Sequence, residues 1–231
     1  MTTPLQLTLL PGVGADCRLF EPQVSAFPDL VVPPWIAPER GETLAHYAAR
    51  FAESLSPRRP VILGGVSFGG MVAYEMARHL RPEAVVLIAS CRSGRVFRPT
   101  VRRLRSPIGW LPSSAFGLAK WISPLAVRTF VGLTPQQRRL CVEMFRDTDS
   151  RFIRWALTAI LGWEPLPLEA IPVFQIHGEK DRAIPASRVE ADEIVPGGGH
   201  LINLTHAERV NDFLRGAIGD RNSREFRPRD V

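Results

Sequence analysis

Apolar positions along this chain follow two periods, two and about 3.6 residues, which take turns from one end to the other. Leu5 to Leu10 alternate and then run apolar into Pro11-Gly12, which predicts a strand ending in a loop. Asp16 can cap a helix that carries Phe20, Val24 and Phe27 on one face. Leu30 to Ile36 predicts a second strand, shortened by Pro33-Pro34. Leu44, Tyr47, Ala48, Phe51, Ala52 and Leu55 recur at helical spacing. Val61 to Val66 forms a third strand, and the helix after it turns Met71, Val72, Ala73, Met76 and Leu80 inward. Ala84 to Ser90 is apolar on both faces, as strands inside a parallel sheet covered on both sides are.

From Arg92 the pattern is helical only, with breaks expected at Pro99, Pro107, Pro112, Pro124 and Pro135. Thr134-Pro135-Gln136-Gln137 has the form of a capping box, and Asp149 or Ser150 can start another helix. Strands resume at Pro172 to His177 and near Glu193 to Val195. The last helix is expected to start at Thr205, with Glu208 completing a capping box, and to end at Gly219 before a polar, disordered tail. Short connections between alternating strands and helices imply an α/β fold with a doubly wound, mainly parallel sheet of about six strands. Residues 1–91 and 168–219 would form the core, residues 92–167 a helical insertion and residues 220–231 the tail. Ligands bind such sheets outside the carboxyl ends of the strands.

The length of 231 residues suits one domain, and 45% hydrophobic residues with near-zero mean hydropathy are ordinary for a globular chain. The opening Met1-Thr2-Thr3-Pro4 lacks the basic region of a signal peptide, and no window approaches the ~20 apolar residues of a spanning helix. Cys17, Cys91 and Cys141 are odd in number and widely spaced, so they read as free thiols of a cytoplasmic protein. The net charge of +6 is uneven: Arg92 to Trp163 holds thirteen basic residues against three acids, leaving the rest of the chain acidic. Positive charge confined to one insertion is not the footprint of a nucleic-acid-binding domain. It fits either a solvated outer face or attraction of an anionic part of a substrate. Trp110, Phe116, Trp121, Phe130, Phe145, Phe152, Trp155 and Trp163 lie in the same insertion and suit an apolar acyl pocket or its supporting core.

Gly65-Val66-Ser67-Phe68-Gly69 fits the G-x-S-x-G elbow, in which a strained turn exposes a serine between a strand and a helix N-terminus. Such a serine needs a base, and the base needs an acid to orient it. Of the five histidines, His46 and His79 lie inside predicted helices, His206 at a helix start and His177 at a strand end. His200 sits in Pro196-Gly197-Gly198-Gly199-His200, a loop free enough of side chains to reach Ser67; His177 and His206 are its rivals. Asp181 lies in the loop after the fifth predicted strand, with Glu179 as its nearest rival. The Phe68 amide is the first oxyanion donor, and Val13 in Pro11-Gly12-Val13-Gly14 is the expected second.

With these residues the chain resembles the α/β-hydrolase superfamily over roughly residues 5 to 218. The elbow, the H-G-x-x-D form at His177 to Asp181 and Gly-Gly-His200 before the final helix carry the resemblance. It implies Ser67 as nucleophile, Asp181 as acid, His200 as base and residues 92–167 as a lid or cap. The family often opens with an antiparallel strand pair, for which there is no room before Leu5, and a His-Gly pair is frequent where Pro11-Gly12 stands. The expected activity is cofactor-free and metal-free hydrolysis of a small acyl ester or thioester through an acyl-enzyme. A non-hydrolytic binding protein on the same fold is the alternative, and acyl transfer, perhydrolysis or carbon–carbon bond hydrolysis could use the same triad.

Overall fold

The computed structural model describes residues 5–55, 57, 59–120, 127 and 129–223. Trp121, Pro124 and the tail from residue 224 lie outside the described residues. Five strands form one parallel sheet in sequential order: β1 (Gln6–Leu10), β2 (Val61–Val66), β3 (Ala84–Ile88), β4 (Val173–Gly178) and β5 (Glu193–Val195). The fold class is the expected one. The helices are α1 (Glu21–Ala26), α2 (Leu44–Leu55), α3 (Phe68–Leu80), α4 (Pro99–Arg102), α5 (Arg105–Trp110), α6 (Ser113–Ala119), α7 (Pro135–Asp147), α8 (Ser150–Gly162), α9 (Ile202–Thr205) and α10 (Ala207–Ser223). β2 and β3 are buried at every residue, because α2 and α3 cover one face and α1 and α10 the other.

The strand expected at Leu30 to Ile36 is reduced to a single parallel bridge between Thr8 and Val31. Val31 N–H donates to the Leu7 carbonyl and its own carbonyl accepts from Leu9 N–H. The next rung would need an N–H at Pro33, which has none. The bridge lies on the opposite edge of β1 from β2, so the chain leaves β1 in one direction and returns for β2 in the other. That reversal opens a crevice outside the carboxyl ends of β1 and β2.

Three local expectations also change. A 3-10 turn at Cys17–Phe20, capped by Asp16, precedes α1 and shifts its phase, so Gln23 is buried and Val24 exposed. Gln23 Nε2 donates to the Asn203 carbonyl and to Asn211 Oδ1, both at 3.1 Å. Thr205 does not open a capping box; it ends α9, its hydroxyl occupied by the Leu201 carbonyl and His206. α10 runs through Gly219 to Ser223. By contrast Thr134 and Gln137 do form the reciprocal box at the start of α7, and Asp149 caps α8.

Between β3 and β4 the described residues hold helices and no strand. Pro107 falls within the first turn of α5, where a missing N–H costs little, instead of breaking it. The end of this segment is fastened to α3: Trp163 Nε1 donates to Glu75 Oε1 at 2.7 Å, and Tyr74 Oη accepts from Leu168 N–H at 3.1 Å. Glu75 is 5% exposed and also pairs with Arg78 at 3.1 Å. Trp163→Phe removes one donor from this buried carboxylate, so urea denaturation should show a loss of about 1–3 kcal/mol in stability.

Candidate active site

Ser67 joins β2 to α3 with φ 54° and ψ −120°, a left-handed backbone that a residue with a Cβ rarely adopts. Its surroundings hold it there. Ser67 N–H donates to the Ile88 carbonyl at 3.0 Å, and its own carbonyl accepts from Gly70 N–H at 3.0 Å and Ser90 Oγ at 2.6 Å. A Cβ on Gly69 would fall on the carbonyls of Leu10 and Pro11, and one on Gly65 would lie 2.5 Å from the Gly69 carbonyl carbon. Both flanking glycines are therefore required by close backbone approach. The same contact brings the Pro11 to Gly14 loop against the serine, with Val13 lining the cavity into which Ser67 opens. The amides of Phe68 and Val13 make no backbone hydrogen bond among the described residues.

Two loops meet over this turn. A Cβ on Gly178 would overlap the Gly199 carbonyl, so the acid loop and the histidine loop touch through backbone, and Lys180 N–H donates to the Gly198 carbonyl at 2.7 Å. Asp181 Oδ1 accepts from the amides of Ala183 (2.8 Å) and Ile184 (3.0 Å). Asp181 Oδ2 lies 2.7 Å from His200 Nδ1, and His200 Nε2 lies 2.9 Å from Ser67 Oγ. Since the carboxylate accepts, Nδ1 carries the proton and Nε2 is free to accept from the serine hydroxyl. The structure thus brings Ser67, Asp181 and His200 into one line of hydrogen bonds, and leaves Glu179 to the Gly197 amide and His206 to Thr205.

His177 is wholly buried beneath the acid loop, its Nε2 2.8 Å from the Ile184 carbonyl and 3.2 Å from Asp181 Oδ2. Burial by itself would raise the Asp181 carboxyl. Hydrogen bonds from His177, His200 and the Ile184 amide, with the charge of His200, outweigh it and hold the group well below the usual carboxylate range.

Ser67 and His200 open into a cavity of about 490 Å³ whose other walls are almost all apolar. Met71 comes from α3, Leu104 and Ile108 from the segment around α5, Met144 and Phe145 from α7, and Leu157 and Ile160 from α8. Of the aromatic residues in the helical segment, Phe97, Phe130 and Phe145 line this cavity. Phe152 and Trp155 pack instead with Trp35, Tyr47 and Phe68, while Trp110 is 90% exposed. Cys141 also lines the cavity; burial pushes its thiol up to about 11, against the opposing charge of Arg138, so it is neutral near pH 7.

The model of the alpha/beta hydrolase family matches residues 9–213. The chain belongs to the alpha/beta hydrolase family. Antimetabolite synthetase AmbE of Pseudomonas aeruginosa is 29% identical over 171 residues, 68% of this chain and 7% of that protein. The chain spans less than a quarter of the length of the curated relatives it matches. Among solved structures, the enol-lactonase of Burkholderia xenovorans LB400 superposes with a TM-score of 0.72 at 18% identity, covering 95% of this chain and 92% of that one. The type II thioesterase BorB from the borrelidin biosynthetic cluster superposes at 0.63 with 19% identity, covering 94% of each chain. Among the described residues, no helix of this alpha/beta hydrolase is long and apolar enough to cross a membrane.

Two residues of the site escape the sequence pattern. Phe130 stacks on the His200 ring, with centroids 5.8 Å apart and planes 28° apart, and nothing in its spacing singles it out from the other aromatics. Ser90 had a visible signal, as the polar end of the otherwise apolar run Ala84 to Ala89, but its partner could not be read. A carboxyl held below its unfolded value stabilises the fold fully above about pH 4, and that contribution is lost as pH falls toward the folded value. The stability difference between this protein and its Asp181→Asn variant should therefore be widest near neutrality and narrow as pH drops below about 4, in urea melts run across that range.

Proposed function

We propose that this protein is a serine hydrolase that cleaves esters or thioesters of a small apolar acyl group. One observation carries the reading: His200 bridges Ser67 Oγ and Asp181 Oδ2 at 2.9 and 2.7 Å, at the mouth of an apolar cavity of about 490 Å³. In the proposed cycle His200 Nε2 takes the Ser67 proton as Oγ attacks the acyl carbon, and the amides of Phe68 and Val13 receive the oxyanion. Collapse of the intermediate breaks the bond to the leaving alcohol or thiol, which takes the proton from His200. Water then attacks the acyl carbon as His200 takes one of its protons, and His200 returns that proton to Ser67 Oγ as the bond from Oγ to the acyl carbon breaks, releasing the free acid. Asp181 keeps Nδ1–H in place and stabilises the imidazolium.

In this reading residues 92–167 are a cap over the core of residues 1–91 and 168–219, and α5, α7 and α8 supply the acyl wall. Residues 5–218, the span of the resemblance, would act without metal or cofactor. The unpaired cysteines fit a reducing, cytoplasmic setting.

Ser67→Ala should lower turnover of p-nitrophenyl esters by about a thousandfold or more while the protein remains folded. Activity above background in that folded variant overturns the reading, and failure of a fluorophosphonate to label wild-type Ser67 favours a non-hydrolytic binder. Leu157→Trp narrows the apolar cavity from its α8 wall. In a chain-length series it should reduce kcat/KM for octanoyl and longer esters by about tenfold or more and leave acetyl esters nearly unchanged.

A further inference from the structure

Four described basic residues of the helical segment hold helix ends or loops. Lys120 Nζ donates to the Arg146 carbonyl at 3.0 Å, Arg138 to the Val127 carbonyl at 3.2 Å and Arg154 to the Leu111 carbonyl at 3.2 Å, while Arg102 pairs with Glu164. Arg92, Arg95 and Arg98 are placed differently. With Arg188 they line a second cavity, of about 590 Å³, on the flank of β4. Phe97 lines both this cavity and the one at Ser67. Its wall carries one carboxylate, Glu190, and Asp192 lies 3.7 Å from Arg92.

Gln175 contributes the inner wall and is wholly buried. Its Nε2 donates to the Ser90 carbonyl at 3.0 Å, which fixes the amide and leaves Oε1 as the open acceptor. Arg92 is anchored by its terminal nitrogen on the Val173 carbonyl at 3.0 Å. Arg92 Nε and Gln175 Oε1 are both buried and have no hydrogen-bond partner among the described residues. Two of the residues that line the cavity thus each carry a buried polar atom without a partner among the described residues, a donor on Arg92 and an acceptor on Gln175, and four arginines line the same cavity. Buried polar atoms left open are costly, and an excess of guanidinium attracts anions. A carboxylate could take the Arg92 N–H but has no proton for Gln175. A singly protonated phosphate has both: a P–O⁻ for Arg92 Nε–H, a P–OH for Gln175 Oε1, and further oxygens for the other guanidiniums.

We propose that this cavity is a phosphate site, taking inorganic phosphate or a phosphate monoester. The site does not depend on Ser67 being a nucleophile. The phosphate can come free from solution or be carried on the leaving group of a substrate whose acyl part lies on the other side of Phe97.

Calorimetric titration of the full chain with inorganic phosphate tests the site itself. One saturable site is expected. Its affinity should fall about tenfold or more in Arg92→Lys, which keeps the charge and loses Nε–H, and in the exposed pair Arg95→Ala/Arg98→Ala, and rise in Glu190→Gln. Absence of saturable binding, or binding that these substitutions leave unchanged, overturns the proposal. Competition separates the two sources. If the substrate carries the phosphate, inorganic phosphate raises KM for acyl thioesters of coenzyme A and not for those of N-acetylcysteamine, which lack phosphate. If the ligand is free phosphate, both thioesters respond alike. Phosphate binding by the Ser67→Ala protein keeps this result independent of the hydrolase reading.

Discussion

The contact on which the rest of this structure depends is the approach of Gly69, in the first turn of α3, to the carbonyls of Leu10 and Pro11 at the end of β1. There is no room for a side chain there, so the helix starts hard against the neighbouring strand. The serine between strand and helix is consequently forced into a backbone conformation it would not choose. The loop from Pro11 to Gly14 is carried to the same point, because it leaves the strand that the helix touches. Nothing in the intrinsic preference of Ser67 would produce this turn; crowding on both sides does. Stored strain of this kind persists only where the surroundings over-determine it, as the hydrogen bonds from Gly70 and Ser90 to the Ser67 carbonyl do here.

A second glycine contact works in the same way across the site. Gly178 and Gly199 let the loops after β4 and β5 meet through their backbones, which sets Asp181 directly beneath His200. Desolvation would ordinarily push such a carboxyl toward its neutral form. Two amides and two imidazoles oppose that tendency, so the group remains charged where it accepts from His200 Nδ1–H. His177 belongs to this support and touches neither the cavity nor the serine.

Much of this arrangement was legible in the sequence because it is written in short-range chemistry. Glycines two residues either side of Ser67, an acid four residues after His177 and a histidine closing a glycine run each mark a place where backbone must pass close to backbone. The helices Leu44–Leu55 and Ser150–Gly162 followed from their apolar spacing. Long-range terms account for what was missed. Pro33 cancels the rung that would have extended the pairing at Val31, and the extra winding of the Cys17–Phe20 turn exchanges Gln23 for Val24 in the interior. The division of the aromatics between the cavity wall and the cluster around Trp35 depends on how α8 is rotated against α2 and α3. Spacing along one helix does not contain that rotation.

Ser90 connects the turn to the middle of the sheet. Its hydroxyl holds the Ser67 carbonyl, and its own carbonyl is held by the side chain of Gln175 in β4. The elbow is therefore tied to the fully buried strand beside it and, through that strand, to the next one. Regions that open independently of the global transition are those with few buried contacts and exposed backbone bonds, and this turn has neither property. Ser67 thus belongs to the most cooperative unit of the molecule. On these contacts the serine turn should open together with the sheet and not ahead of it, so the geometry around Ser67 lasts as long as the sheet does.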